Sequence, residues 1–497
     1  MISPDRRRRV AIIGGGIAGL AAAYFLRDLG AEVTVLEGSP RVGGKLAVSE
    51  VAGVAVDAGA EALLARRPEG VDLIRAVGLG GRLAYPGTTT ASIWTRGRFR
   101  SLPRRQFMGV PADLGELERS QILSPAGLER ARQDADLAAT ARDGDVAVAT
   151  YVGARFGAEV VDRLVEPLLG GVYAGRPDRL SFEATLPGLA HESGRHRSLA
   201  DAAAAMLGPV PSPVSGDGTA TPAPVFTTLT DGLGTLPPAL AAASGATVRT
   251  NATVRELRRT AEGWRLTTGP TIAPEYIDAD AVILALPARP ASRLAGQIAG
   301  GDAATAAAGL AGIEYASMAI VTLAYPAAAF GSPIAGSGYL VPAVDGRPVK
   351  AVTFSTVKWP HLADGLHIVR CSVGRIGEEA VLQRDDSELA SLAAADLAAA
   401  TGVAGRPADA RVTRWGGGLP QYTVGHRDRV GRIRAGIAAQ PGLAVCGAAY
   451  DGVGIPACIA SARLAADQVR GFLTTRRNLD GGAADLREVT SGADAGE

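Results

Sequence analysis

Val10-Ala11-Ile12-Ile13-Gly14-Gly15-Gly16-Ile17-Ala18-Gly19-Leu20 reads as a buried strand, a glycine turn and the start of a helix, and Glu32-Val33-Thr34-Val35-Leu36-Glu37 closes the unit with an alternating strand. The apolar period changes across the turn, from the continuous run of a buried strand to helical spacing over Leu20 to Leu29, which marks a βαβ unit. Gly14, Gly16 and Gly19 form G-x-G-x-x-G. The first makes a tight turn, the second leaves room for a pyrophosphate against the backbone, and the third lets helix and strand pack closely. The helix start over Gly15, Gly16, Ile17, Ala18 and Gly19 offers unpaired N–H groups and partial positive charge to phosphates. Glu37 stands about 20 residues on, where a carboxylate accepts hydrogen bonds from a ribose 2′-OH and repels a 2′-phosphate. Gly38, beside it, belongs to the same expected site. The stretch predicts a dinucleotide held in a Rossmann-type domain.

Composition bounds what else the chain does. Of 497 residues, 47% are hydrophobic and 20% charged, the balance of a folded chain long enough for more than one core. With 51 basic against 50 acidic residues the formal net charge is +1, so nothing global points to nucleic acid or an anionic membrane. Cys371, Cys446 and Cys458 lack C-x-x-C spacing and accompany only five histidines, so neither a disulfide framework nor a metal site is expected, and a reducing cytoplasm fits. Arg6-Arg7-Arg8-Arg9 before an apolar run looks like a signal peptide, but the ordered glycines and the strand that follows argue against one. The uncharged span Tyr315–Val344 is broken by Pro326, Gly331, Pro333 and Gly336, and a spanning helix needs about 20 continuous apolar residues. It reads as a strand over Met318–Ala324 and then a loop.

Two further segments sharpen the cofactor. Arg41-Val42-Gly43-Gly44-Lys45 resembles the second fingerprint of the FAD-binding amine oxidase and protoporphyrinogen oxidase superfamily. Its glycines permit close backbone approach, and Arg41 and Lys45 can neutralise a diphosphate. The block Asp57-Ala58-Gly59-Ala60-Glu61 follows at that family's spacing, which implies backbone against a flavin ring. Near the C-terminus, Cys446-Gly447-Ala448-Ala449-Tyr450-Asp451-Gly452-Val453-Gly454-Ile455 precedes a helix whose N-terminus can face the flavin N1–C2=O edge, which gains negative charge on reduction. The resemblance also places Val254, in a strand of the returning segment, and Trp415 against the FAD. No His or Cys is set for a covalent link, so the FAD is expected to be noncovalent. No second G-x-G-x-x-G follows a strand, so oxygen rather than NAD(P) is the expected electron acceptor.

Gly171-Val172-Tyr173-Ala174-Gly175-Arg176-Pro177-Asp178-Arg179-Leu180-Ser181 resembles a segment of the protoporphyrinogen oxidase family that general amine oxidases lack. Read on its own it says only turn chemistry and a helix-ending proline. With Glu166-Pro167 and Lys358-Trp359-Pro360-His361 the resemblance runs from about residue 9 to 472. Its cytosolic bacterial branch oxidises coproporphyrinogen III to coproporphyrin III in haem synthesis. The resemblance implies three two-electron steps, each moving a hydride from a ring-bridging carbon to flavin N5 as a pyrrole N–H loses its proton, with oxygen then reduced to hydrogen peroxide. Cofactor and substrate carry that chemistry, so no catalytic acid, base or nucleophile is nominated. Coproporphyrinogen has four propionates, and guanidinium groups bind carboxylates in bidentate fashion. Arg66 and Arg67, just after the flavin-facing block, are the first substrate candidates; Arg96 and Arg98, in a run that continues through Arg100, Arg104 and Arg105, are the second. Rival readings are a protoporphyrinogen IX oxidase, a flavin amine oxidase with Trp415 and Tyr422 as its paired aromatics, and a non-catalytic flavin or porphyrin carrier. Peripheral membrane contact and transient contact with the next enzyme of haem synthesis are compatible with the sequence, whereas nucleic acid is not an expected partner.

The expected fold is α/β, α+β overall: a Rossmann-type FAD-binding domain in three parts, 8–90, 226–300 and 416–475. Between them come a helical and substrate-binding region over 91–225, with a potential for membrane association, and a substrate-binding domain over 301–415. Gly208–Pro224 reads as a mobile loop, and 476–497 as a disordered tail.

Overall fold

The strand Arg9–Ile13 lies at the middle of a five-stranded, all-parallel sheet. In spatial order the strands are Thr247–Arg249, Glu32–Leu36, Arg9–Ile13, Ala281–Leu284 and Leu443–Val445. The structure is a computed structural model describing residues 7–140, 142–208, 224–362 and 365–491, with side chains described as far as Arg476. A central parallel strand is buried on both faces, which is why Val10 to Ile13 reads as an unbroken apolar run. Val10 and Ile12 enter one core with the helices Ile17–Leu26, Leu236–Ser244 and Ile455–Ser491. Ala11 and Ile13 enter the opposite core with the helices Ala288–Ala295, Gly301–Ala311 and His426–Ala438. A three-stranded antiparallel sheet, Glu256–Arg259, Trp264–Thr268 and Glu275–Ala279, covers part of that second face through Leu257, Trp264 and Leu266.

A seven-stranded mixed sheet forms the other large layer. Its order is Asp409–Pro420, Tyr315–Pro326, Leu366–Val373, Val349–Phe354, Gly338–Leu340, Ser92–Thr95 and Arg98–Ser101. The helix Asp386–Thr401 lays Leu389, Ala393 and Leu397 on it. Helices between Leu114 and Leu207 make a third core around Val148, Phe156, Leu164, Phe182 and Leu199. Inside that region Arg155, 1% exposed, donates to Asp134 and to the carbonyls of Ala138 and Arg197, while Asp134 accepts the N–H groups of Leu199 and Ala200.

Several expected boundaries shift. The strands over residues 92–101 pair into the seven-stranded sheet rather than opening a separate helical region, because Ser92 and Ile93 run alongside Tyr339 and Leu340. The helix Gly301–Ala311 packs on the parallel sheet, so the chain leaves that layer near residue 313, later than expected. The strand Asp409–Pro420 carries the second sheet past 415. The C-terminal helix continues beyond Arg476 to Ser491, in place of the disordered tail expected over 476–497; the segment has no proline and several good helix formers beside Gly481 and Gly482, and residues 492–497 lie outside the described residues. Of the loop expected over Gly208–Pro224, residues 209–223 lie outside the described residues. Among the described residues no helix is long and apolar enough to cross a membrane.

The turn that starts the fold has no slack. A Cβ on Gly19 would lie 1.9 Å from the Gly14 carbonyl oxygen and 3.2 Å from Ala285 Cβ. Gly19→Ala is therefore expected to lower unfolding free energy by at least the roughly 1–3 kcal/mol of an overpacked site. The check is the urea midpoint at unchanged slope; a variant as stable as the parent would show that helix and strand can separate without cost.

Candidate cofactor and substrate site

The glycine turn is fastened from three sides. Gly14 N–H donates to the Leu36 carbonyl at 2.8 Å, Gly15 N–H to Glu37 Oε2 at 2.7 Å, and Gly43 N–H to the Gly15 carbonyl at 2.8 Å. Glu37 Oε1 accepts Ser39 N–H at 2.8 Å. Both carboxylate oxygens are thus fixed, each with acceptor capacity to spare for a ribose hydroxyl. The returning chain lies alongside, with Glu37 N–H bonded to the Arg249 carbonyl and Ala252 N–H to that of Glu37, both at 2.8 Å. Thr253 comes within 2.9 Å of where a Gly38 Cβ would stand. Val254 is half-buried beside this point, but it lies in the link between the strands Thr247–Arg249 and Glu256–Arg259, not in a strand. There the chain passes from the parallel sheet to the antiparallel one, so pairing lapses.

Open space occurs where a dinucleotide needs it. A Cβ on Gly16 would meet nothing within 4 Å, nor would one on Gly447, whose φ is +125°. Gly44 packs directly on Gly16, a Cβ there lying 3.5 Å from Gly16 Cα. Lys45 is half-buried, with no hydrogen-bond or ion-pair partner among the described residues, and burial pushes its ammonium below the usual lysine range. An unpaired cation beside an open glycine cradle fits a diphosphate. Arg41 is engaged with protein in this structure: its guanidinium donates to the carbonyls of Val42, Gly44 and Leu46, holding its own loop. Ile17 and Ala18 form the first helical turn behind the cradle, Ala18 being buried.

The block Asp57–Glu61 is clamped by the second sheet. Asp57 accepts the N–H groups of Leu233 and Gly234 at 3.0 and 3.2 Å, and burial raises its carboxyl to about 6. Trp415 Nε1 donates to the Ala58 carbonyl at 3.0 Å, and the Trp415 ring reaches within 3.1 Å of a notional Gly59 Cβ. Ala60 N–H returns to the Lys45 carbonyl at 3.3 Å. Glu61, expected to meet cofactor, has its carboxylate turned to Lys358 Nζ at 2.7 Å and to Arg370. Burial opposes its ionisation, yet those two cations hold it at about 2. Arg370 escaped the sequence reading; its only signal was a lone cation in the apolar strand Leu366–Val373.

The C-terminal segment completes the cleft. Gly447 N–H donates to Ser461 Oγ at 3.0 Å, and Ser461 Oγ–H to the Cys458 carbonyl at 2.8 Å, tying the turn to the helix it precedes. Gly452, with φ +151°, Val453 and Gly454 lead into that helix at Ile455. Tyr422 O–H donates to the Ala448 carbonyl at 2.6 Å, and its ring stacks on His426 at 4.0 Å between centroids. Tyr422 is 1% exposed, so it braces the cofactor segment from behind and does not pair with Trp415 as an aromatic cage.

The segment Gly171–Ser181 locks onto the same brace. Gln421 Nε2 donates to the Tyr173 carbonyl at 2.7 Å, and Ser181 N–H to that of Tyr422 at 2.7 Å. The helix Glu166–Tyr173 ends on Ala174 in the left-handed conformation, φ +49°, and not on Pro177. Of the substrate arginines, Arg66 is exposed and has no partner among the described residues, whereas Arg67 pairs with Glu69 at 2.7 Å. Arg96 pairs with Glu159 at 3.0 Å. Arg96 and Arg98 stand at the far edge of the seven-stranded sheet, six strand positions from Trp415, or roughly 29 Å across a flat sheet at 4.8 Å per strand. The structure does not bring them to Arg66 and Arg67.

Residues 17–470 match the family model described as flavin containing amine oxidoreductase. The chain is 31% identical to coproporphyrinogen III oxidase of Bacillus subtilis (strain 168) over 481 residues, 94% of this chain and 99% of the other. It is 37% identical to the protein of that name from Mycobacterium tuberculosis (strain ATCC 25618 / H37Rv), with 93% and 97% covered. A solved protein of Exiguobacterium sp. 255-15, given as a candidate protoporphyrinogen oxidase, superposes with a TM-score of 0.81 at 30% identity, covering 94% and 99%.

Two outcomes follow from this geometry. Gly16→Val fills space that no protein atom uses, so the cofactor-free variant is expected to keep the thermal midpoint of the cofactor-free parent and to bind no flavin, read as absorbance retained after gel filtration; a variant that still retains flavin would place the diphosphate elsewhere. His426 is buried, and burial drops its imidazole from 6.5 to about 4 even though its Nε2–H donates to the Tyr450 carbonyl at 3.1 Å. The folded state binds fewer protons there than the unfolded state, so this stabilisation is complete above pH 6.5 and is lost as pH falls through about 4. The full effect is about 3 kcal/mol. His426→Phe keeps the stack on Tyr422 and should flatten the stability slope between those pH values; an unchanged slope rules out His426 as its source.

Proposed function

This chain belongs to the flavin containing amine oxidoreductase family, and we propose that it oxidises coproporphyrinogen III to coproporphyrin III, using noncovalent FAD and molecular oxygen and releasing hydrogen peroxide. What carries the reading is likeness over nearly the whole of both chains to proteins named for that reaction. A flavin cofactor comes with the family. The dinucleotide form is supported by Glu37 fixed at the strand end and by the open cradle at Gly16 and Gly44. Three buried free cysteines favour a reducing cytoplasm.

Bound flavin supplies the two-electron acceptor. The chain's own residues position and exclude. Gly14 to Gly19, Gly44 and Lys45 would receive the diphosphate; Ala58, Gly59 and Ala60 would set backbone against the ring; Gly447 and the turn Gly452–Ile455 would hold its other side. Trp415 and Val254 give apolar contact. No side chain is nominated as general base: loss of hydride from the bridging carbon would leave the adjoining pyrrole N–H cationic and acidic enough to pass its proton to water. Arg66 meets a propionate at the mouth, with Arg67 beside it and partly neutralised by Glu69.

The test is steady-state oxidation of coproporphyrinogen III against protoporphyrinogen IX, followed by porphyrin fluorescence and peroxide. Binding without turnover would make the protein a carrier. Within this reading Arg66→Ala should raise KM for coproporphyrinogen, because a clamp on a non-reacting carboxylate acts on ground and transition states alike. One charged contact is worth about 1.5–3 kcal/mol, or roughly tenfold to a hundredfold in kcat/KM. Salt should weaken binding in the parent more than in the variant. Unchanged kinetics and salt response would put Arg66 on a merely solvated surface.

A further inference from the structure

Behind the block Ala58–Glu61 lies a small cavity of about 20 Å³, lined among others by Asp57, Glu61, Ser355, Trp359, His361 and Arg370. Three of these residues carry a buried polar atom with no hydrogen-bond partner among the described residues: Arg370 Nε, Trp359 Nε1 and Ser355 Oγ. Their residues are 8%, 2% and 2% exposed. Arg370 Nε–H and indole Nε1–H donate and cannot accept, so neither can satisfy the other. Buried donors of this kind are nearly always met, by protein or by ordered water. About 10–15 Å³ is enough for one water molecule, so the chamber takes one small acceptor and no more. Water suits it better than a halide, because its own two protons can go to Ser355 Oγ and to the Asp57 or Glu61 carboxylate.

The rest of the Arg370 guanidinium is already committed. One terminal nitrogen donates to Glu61, which Lys358 holds from its other oxygen, and the second donates to the Gly59 carbonyl at 2.5 Å. Gly59 has no freedom to move away, since a Cβ there would stand 2.0 Å from the Lys45 carbonyl oxygen. A single side chain from the second sheet therefore grips the turn at two points two residues apart, while Trp415 grips it at Ala58.

We infer that Arg370 is a positioning residue for the flavin-facing turn, holding the Gly59 carbonyl and the Glu61 carboxylate together and closing, with Trp359 and Ser355, on one buried water. This rests on the reading that flavin lies against residues 58–61. Arg370 acts through that backbone and touches no reacting atom. A guanidinium is required because its three nitrogens serve three different partners, and an ammonium keeps only the charge.

The test uses the full-length protein loaded with FAD. In a crystal structure of the parent, one isolated density peak is expected within hydrogen-bond distance of Arg370 Nε, Trp359 Nε1 and Ser355 Oγ; an empty chamber, or a peak replaced by an anomalous bromide signal after soaking, overturns the water. Arg370→Gln is expected to weaken FAD binding at least tenfold, measured by flavin fluorescence, and to shift the visible flavin band. Arg370→Lys should restore part of the affinity through Glu61 without restoring the band, since the Gly59 contact is still missing. Affinity and spectrum unchanged in Arg370→Gln overturn the positioning role. Should that variant not fold, Trp359→Phe keeps an aromatic ring and removes one donor: loss of the peak supports the inference and its persistence overturns it. A parent protein that binds no flavin would instead defeat the underlying reading.

Discussion

The close approach of helix to strand at Gly14 and Gly19 is the constraint from which the rest of the site follows. With a notional Gly19 Cβ 1.9 Å from the Gly14 carbonyl and a notional Gly14 Cβ 2.4 Å from that of Ala285, the helix Ile17–Leu26 can start at only one place. That place aims its free N–H groups across Gly16 into open space. Glu37 then has no choice of partner: with Gly14 bonded to Leu36, the adjacent Gly15 N–H falls to its carboxylate. Gly43 joins the same stack through the Gly15 carbonyl, which brings Gly44 and Lys45 to the cradle. Steric exclusion at two glycines thus orders contacts that reach from Gly14 to Lys45.

The second sheet matters to the cofactor cleft because it reaches across, not because it lies near in sequence. Trp415 and Arg370 come from two of its strands and end on consecutive carbonyls, Ala58 and Gly59. The interleaving of the chain makes this possible: it leaves the parallel sheet, builds the second layer and returns with Leu443–Val445. The brace of Gln421 and Tyr422, at the end of the edge strand Asp409–Pro420, then ties Tyr173 and Ser181 on one side to Ala448 on the other. The segment that resembles porphyrinogen oxidases and the C-terminal glycine segment around Gly447 therefore share one set of supports.

What is legible in the sequence is local. The strand Glu32–Leu36, the glycine turn, the helix that follows it and the place of Glu37 at the strand end depend on near neighbours in the chain, and period and turn chemistry expose them. Glu61 is the counterexample. Its place in the block is readable, but its partners are 297 and 309 residues away, and no pattern in a single sequence announces them. The residues around Val254 alternate as a strand does, and only the change of sheet there breaks the pairing. Arg96 to Arg105 read as a basic patch for a related reason: the compensating Glu159, and the Glu116 that fixes the Arg105 backbone, lie on other elements.

Beside its ion pairs, arginine in this protein repeatedly clamps carbonyl oxygens. Arg41 holds its own loop, Arg155 the carbonyls of Ala138 and Arg197, Arg255 that of Gly269, Arg414 those of Leu382 and Arg384, and Arg370 that of Gly59. A planar fork with five donors suits bent backbone that has left its sheet, and a chain with 64 glycines has much of it. Lys45 and Arg66 are used differently: neither has a hydrogen-bond or ion-pair partner among the described residues, Lys45 being half-buried next to Gly44 and Arg66 exposed. A half-buried ammonium with no partner among the described residues is costly to maintain, and burial accordingly pushes Lys45 below the usual lysine range, so an anion reaching it would favour its charged form.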